Sequence, residues 1–194
     1  MNKNDVIEFF DSLAPQWDAD MVRNESVIDT ILDNAGIEEG VTVLDVACGT
    51  GVLIPDYLNL NVAHVTGIDI SKKMIKIAKD KFQDPRVTLI CADAETTQFE
   101  SQFDCCVVYN AFPHFPNPYS LIRSLAANIK VGGKLTIAHG SSREHIDHRH
   151  MEHASAVSLK LMSDDELSTL FSPYFDVIFT ISDDRMQQIV GVKK

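Results

Sequence analysis

From residue 41 onward the chain alternates short apolar runs with amphipathic stretches. The runs 41–46, 62–69, 87–91, 103–109 and 134–139, rich in Val, Ile, Leu and Cys, predict strands, while 52–59, 72–82 and 118–130 carry helical spacing. In 72–82 the lysines Lys72, Lys73, Lys76, Lys79 and Lys81 are interleaved with Met74, Ile75, Ile77 and Ala78, which makes them the solvated side of an amphipathic helix. Alternation of this kind implies a parallel sheet covered by helices on both faces. The tail differs. Ser163 with Glu166 forms a capping box for a helix ending near Phe171, and the apolar runs 175–181 and 186–192 then face each other as a hairpin across Ser182-Asp183-Asp184-Arg185.

Ahead of the strands, a helix begins at Asn4 or Asp5, shows Val6, Phe9, Phe10 and Leu13 on one face, and stops at Pro15; a second runs from about Ser26 to Ala35 and ends at Gly36. Composition adds limits. A chain of 194 residues that is 45% hydrophobic has the length and the apolar content for one domain with a sizeable core. With 28 acidic against 17 basic residues its net charge of -11 opposes a phosphate backbone, so no nucleic acid partner is expected. The start of the chain is polar and no run of about 18 apolar residues occurs, so the expectation is a cytoplasmic protein with no membrane partner. Cys48, Cys91, Cys105 and Cys106 sit in or beside predicted strands without zinc spacing, which suits reduced, buried thiols.

The most informative stretch is Val43-Leu44-Asp45-Val46-Ala47-Cys48-Gly49-Thr50-Gly51, a strand with an acid near its end followed by a turn with two glycines. Glycine accepts positive φ and lets a ligand approach the backbone, so the turn reads as a cofactor seat at the carboxyl end of a strand. A dinucleotide fingerprint needs a third glycine, and the register Gly49-x-Gly51-x-x-Ile54 has Ile there. Asp69 ends the second predicted strand, where a carboxylate can accept from two vicinal ribose hydroxyls, and Asp93 follows the third.

On these residues the chain resembles the class I S-adenosylmethionine-dependent methyltransferases. Asp45, Gly49 and Gly51 match the first motif, with Ala47 where many members have glycine; Ala92-Asp93-Ala94 is similar to the motif that meets the adenine amino group, and Asn110-Ala111-Phe112-Pro113-His114 follows the fourth strand. The resemblance implies a Rossmann-like α/β fold, a seven-stranded mostly parallel sheet in the order 3-2-1-4-5-7-6 with strand 7 antiparallel, in one domain over 1–194. It implies S-adenosylmethionine as cofactor, bound by Asp45, Ala47, Cys48, Gly49, Gly51, Asp69, Ile70, Met74, Asp93, Ala94 and Asn110. Residues 9–18 look like the N-terminal lid of small-molecule methyltransferases, including those of quinone biosynthesis, which makes 1–36 a lid with the first helices. Residues 140–162 are then a helical insertion over the active site. Phe10, Trp17, Phe112, Arg143 and His150 are the candidate substrate contacts, although Phe9, Phe10 and Trp17 equally suit plain packing of the helix on the domain.

Five of the seven histidines lie between His139 and His153. On a helix His145 and His148 lie about 60° apart, as do His150 and His153, but the two pairs point to different sides, so one helix cannot offer all four to one ion. No His-Glu-x-x-His spacing occurs. A divalent metal site built from one pair with His139 or His114 stays open, with His139, His145 and His150 as its candidate ligands. His139 and His114 end or follow strands beside the expected pocket and are the candidate general bases for methyl transfer by in-line displacement to O, N, S or C of a small molecule. No Asn/Asp-Pro-Pro-Tyr/Phe follows the fourth strand, and the carboxylates of magnesium-dependent catechol-type enzymes are missing there. A cofactor-binding or metal-sensing protein without turnover and an NAD-dependent oxidoreductase are the rival readings; the protein is expected to be a monomer or homodimer.

Overall fold

The computed structural model describes residues 1–194, the side chain of His153 apart. Its elements run α1 (Lys3–Leu13), a 3-10 turn (Ala14–Gln16), α2 (Glu25–Ala35), β1 (Thr42–Val46), α3 (Ile54–Asn59), β2 (His64–Asp69), α4 (Lys72–Lys81) and β3 (Val87–Cys91). They continue with β4 (Phe103–Tyr109), a 3-10 turn (Phe112–His114), α5 (Pro118–Asn128), β5 (Ile129–His139), α6 (Arg143–His153), α7 (Asp164–Phe171), β6 (Phe175–Ser182) and β7 (Gln187–Lys193). The strands form one sheet in the order β3-β2-β1-β4-β5-β7-β6. β7 runs antiparallel to both β5 and β6, and the remaining pairs are parallel. This is the fold that the resemblance implies.

The period of two along each strand sorts the core into two layers. On one face Leu44, Val46, Cys106 and Val108 meet Leu121, Ile122 and Leu125 of α5 and Leu170 and Phe171 of α7. On the other, Val43, Val65, Cys105 and Val107 meet Ile28 and Leu32 of α2 and Tyr57 of α3. Such completely buried aliphatic side chains each contribute about 1.5–3 kcal/mol of burial, which is why the central strands read as unbroken apolar runs. The helix ends follow their local signals. Gly36 closes α2 in the left-handed region at φ 73, and the Ser163–Glu166 box is formed in both directions at the start of α7.

Three expectations change. α5 ends at Asn128 and β5 takes over at Ile129, so Gly132 and Gly133 lie within the strand rather than ahead of it. α6 stops at His153, and residues 154–162 form an irregular strap held by Leu159 N–H to the Pro113 carbonyl (2.7 Å) and Leu161 N–H to Asp147 Oδ1 (2.9 Å). Cys48, Cys105 and Cys106 are buried, but Cys91 is exposed because β3 is an edge strand. Among the described residues no helix is long and apolar enough to cross a membrane.

Candidate active site

The parallel strands deliver their carboxyl ends to one edge of the sheet. There the chain leaves β1 through Ala47 (φ 56), Gly49 (φ 56) and Gly51 (φ 87), three left-handed residues in five. The turn is closed by Gly51 N–H to the Cys48 carbonyl (2.8 Å) and tied to β2 by Cys48 N–H to the Ile68 carbonyl (3.0 Å). The two glycines serve different ends. A side chain on Gly51 would strike Phe82 and Ile54 at 2.5 and 2.8 Å, whereas one on Gly49 would meet only Trp17 Nε1, at 3.8 Å. Gly51 lets the turn pack; Gly49 sits on the cavity wall with Trp17 in ordinary contact above it.

Asp69 is locked by the backbone. Its Oδ2 accepts from Gly49 N–H (2.9 Å) and its Oδ1 from Ser71 N–H (2.7 Å), which leaves each oxygen a second lone pair. Burial raises its pKa to about 6 against the pull of these N–H groups. Asp45 lies deeper. Burial first, then the charge of Asp69, pushes it up to about 8, and its Oδ2 is buried with no hydrogen-bond partner among the described residues. Asp93 accepts from Glu95 N–H (3.0 Å) through Oδ1 and from Lys3 Nζ (2.6 Å) through Oδ2, and Lys3 also pairs with Glu95 (2.8 Å).

At the ends of β4 and β5 the surroundings turn from acids to imidazoles. Asn110, at φ 53, donates its N–H to the Ala138 carbonyl (2.9 Å) and accepts Gly140 N–H on Oδ1 (2.8 Å), which sets the two strand ends side by side. His139 is buried, and burial followed by the nearby His114 and His150 lowers its pKa to about 3. His114 Nδ1 lies 2.8 Å from the Val157 carbonyl oxygen, and burial lowers its pKa to about 4. Its ring stands 5.0 Å from that of His150 and 4.9 Å, edge to face, from Phe10. α1 roofs this region. Val6 packs on Ala154 and Val157 of the strap, and Asp11, Asp18 and Arg23 tether the N-terminal segment to Ser71, Thr50 and Asp56 around the rim.

A single cavity of about 780 Å³ joins the two regions. It runs from Asp69 and Asp93 past Gly49 to His114 and His139, under Phe10 and Trp17. Residues 43–133 match the family described as methyltransferase domain. The chain is thus similar, in its central part, to a methyltransferase domain. Among curated relatives, it is 28% identical over 151 residues to malonyl-[acyl-carrier protein] O-methyltransferase of Priestia megaterium, covering 74% of this chain and 55% of that protein. It is 30% identical over 115 residues to ubiquinone biosynthesis O-methyltransferase of Aeromonas salmonicida, covering 57% and 48%. The chain thus spans about half the length of these relatives. Two solved structures share the fold of the domain. One is a chain from the complex between the Haloferax volcanii Trm112 methyltransferase activator and a methyltransferase, with a TM-score of 0.83, 17% identity and 97% of each chain covered. The other is magnesium protoporphyrin IX methyltransferase of Synechocystis PCC 6803 with bound S-adenosylhomocysteine, with a TM-score of 0.76, 17% identity and 99% of each chain covered.

Of the cofactor residues read from the sequence, the fold brings Ala47, Cys48, Gly49, Asp69, Ile70, Met74, Asp93, Ala94 and Asn110 to the cavity wall. Asp45 and Gly51 lie behind it: Asp45 is inside β1, and Gly51 is pressed on Phe82. Of the candidate substrate contacts, Phe10, Trp17 and His150 line the cavity, but Phe112 and Arg143 do not. Phe112 turns into the core beside Leu121 because the 3-10 turn reverses the chain there, and Phe115 takes its place on the wall. Arg143 reaches instead to the Leu161 carbonyl (3.3 Å). His139, His145 and His150 share the cavity, yet no three His, Cys, Asp or Glu side chains among the described residues converge as a metal-binding group.

The division of α6 also differs from the expected pairs. His145, Arg149, Ile146 and His150 all face the cavity on one stripe about 140° wide, while His148 lies near Glu152 (3.4 Å) on the exposed side. The side chain of His153 lies outside the described residues. Sequence reasoning missed Lys3, Arg149 and the strap around Val157. Arg149 was legible as i+4 from His145, but Lys3 and the strap touch their partners only through the tertiary fold.

Proposed function

We propose that this chain is an S-adenosylmethionine-dependent methyltransferase acting on a small-molecule acceptor. The observation that carries this reading is the one continuous cavity, with a left-handed glycine turn and two strand-end carboxylates at one end and His114 and His139 at the other. One feature of the seat fits such a cofactor: Gly49 lies on the cavity wall in a left-handed turn, and a side chain there would meet only Trp17 Nε1, at 3.8 Å. Asp69 is assigned the ribose hydroxyls, Asp93 the adenine amino group, and the backbone from Ala47 to Gly49 the remainder, with Asp45 and Gly51 supporting the turn from behind. The cofactor, when bound, supplies an activated methyl group. The chain's own work is to align an acceptor by in-line approach, to exclude water beneath the α1 roof, and to take a proton at His114 or His139.

Phe10 and Trp17, with His150, are proposed to flank the acceptor. Residues 1–36 act as the lid and 140–162 as a cover over the acceptor end, in one domain over 1–194. A small acceptor suits a cavity of about 780 Å³ and the net charge of -11, which disfavours nucleic acid. A cytoplasmic monomer or homodimer with no membrane partner completes the reading. The test is an untargeted metabolite screen with purified protein and S-adenosylmethionine, read as a mass gain of one methyl group. The expected result is a methylated product that disappears in the His114→Gln, His139→Gln double variant; cofactor-independent products, or full turnover by that variant, would contradict it.

A further inference from the structure

The strap 154–162 fixes more than the position of His114. A carbonyl oxygen carries no hydrogen, so Nδ1 of His114, at 2.8 Å from the Val157 carbonyl, must hold the ring proton and donate it. Ser158 Oγ lies 3.1 Å from the same nitrogen as a second partner. The strap is itself pinned to the residue before the histidine, through Leu159 N–H on the Pro113 carbonyl. Nε2 is left without a hydrogen-bond partner among the described residues, in the wall of the cavity. We propose that the Val157–Ser158 segment selects the Nδ1–H tautomer of His114, so that the acceptor meets a bare Nε2 lone pair and must itself bring a hydrogen, as an un-ionised hydroxyl, amine or thiol rather than a carboxylate.

This rests on the methyltransferase reading and narrows it to an acceptor class. The acceptor X–H directs a lone pair to the methyl carbon while its hydrogen points to Nε2. The X–C bond forms, the C–S bond of the donor breaks with its electron pair staying on sulfur, and the proton of X passes to Nε2. The imidazolium so formed keeps its Nδ1–H on Val157 and later releases the new proton to water. Ser158 and the Val157 carbonyl are positioning groups here. His114 needs no high basicity, since the proton leaves an oxygen, nitrogen or sulfur that is becoming positively charged as it attacks. The titratable groups facing His114 are His150 from α6 and His139 from β5, and no carboxylate adjoins its ring. Its low pKa, set by burial, keeps Nε2 bare at neutral pH.

The experiment is long-range 1H–15N NMR of the imidazole rings in the full 15N-labelled chain loaded with S-adenosylhomocysteine. The His114→Gln spectrum assigns the His114 signals. The proposal expects the Nδ1–H tautomer at pH 7. It also expects the Ser158→Asp variant, which sets a carboxylate beside Nδ1, to raise the titration midpoint of His114 by about one pH unit or more. Phenol should shift the Nε2 resonance, and benzoate at the same concentration should leave it in place. An Nε2–H tautomer, an unmoved midpoint in Ser158→Asp, or a shift with benzoate or with neither probe would overturn it. Calorimetry on the same chain before it is loaded separates the two levels. A chain that binds no S-adenosylmethionine fails the methyltransferase reading, whereas a chain that binds it with the wrong tautomer fails only this inference.

Discussion

Asp69 and His114 line one cavity, and burial acts on both, but the protein answers it differently at the two ends. Asp69 is met by two backbone N–H groups from a turn and a helix start, which offset part of the burial and leave its pKa at about 6. His114 is met by a backbone carbonyl and a hydroxyl, with no carboxylate to hold an imidazolium, so a buried base is kept neutral. One end is organised to receive hydroxyl and amino donors, and the other to receive a proton. The difference also lies in what carries each group: Asp69 ends a strand inside the sheet, whereas His114 sits in a 3-10 turn braced by irregular chain.

The largest effects should come from the two glycines of the turn. Gly51→Val places a side chain onto Phe82 and Ile54 in a left-handed residue, and it should destabilise the fold by about 3 kcal/mol or more, read by chemical denaturation. Gly49→Ala should cost only about 1 kcal/mol of stability but weaken cofactor binding about a hundredfold by calorimetry, because its methyl group would project from the cavity wall beneath Trp17, where the cofactor is proposed to approach the backbone. Equal behaviour of the two variants would erase the distinction between packing glycine and seat glycine.

Next in size, His114→Gln should lower turnover by about 10²–10⁴ while leaving cofactor affinity within a factor of about two. A variant that lost affinity instead would place His114 at the cofactor end.

Acid titration then separates the ends by sign. His114 has its pKa lowered from 6.5 to about 4, so its contribution to stability is full above pH 6.5 and is lost as pH falls through 4. Asp69 has its pKa raised from 3.8 to about 6, so its contribution is full below pH 3.8 and is lost as pH rises through 6. Between pH 4 and 6 the His114→Gln chain should therefore lose less stability on acidification than the parent, and Asp69→Asn should lose more. Denaturation midpoints at the two pH values check both.

The smallest effect is expected at the latch. Lys3 is about a third exposed, so Lys3→Met should change stability by less than about 1 kcal/mol. Freeing Asp93 and the end of α1 should nevertheless speed cofactor release a few-fold, measured by stopped-flow fluorescence of Trp17, the single tryptophan and a wall of the cavity.

The uneven legibility of the molecule follows from the same contrast. Strand-end residues such as Asp69, Asp93 and Asn110 were readable because their positions are set by period and order, which local sequence carries. Ala47 stands at φ 56, a left-handed position that suits glycine. Phe112 was misplaced because nothing local distinguishes the inward and outward sides of a three-residue turn. A helical insertion is expected over 140–162, but in the fold Val157 and Leu161 of the strap are buried by α1 and the rest of the chain, and the backbone bonds outward to Pro113 and Asp147. Lys3 and Asp93 are ninety residues apart and meet only when α1 closes over the sheet.

The most direct test of the account is calorimetric titration of the chain with S-adenosylmethionine and, separately, with NAD, for the parent and for Asp69→Ala. The account predicts one site of roughly micromolar affinity for S-adenosylmethionine, weakened about tenfold or more by Asp69→Ala, and no binding of NAD. Binding of NAD without S-adenosylmethionine, or undiminished S-adenosylmethionine affinity in Asp69→Ala, would contradict it.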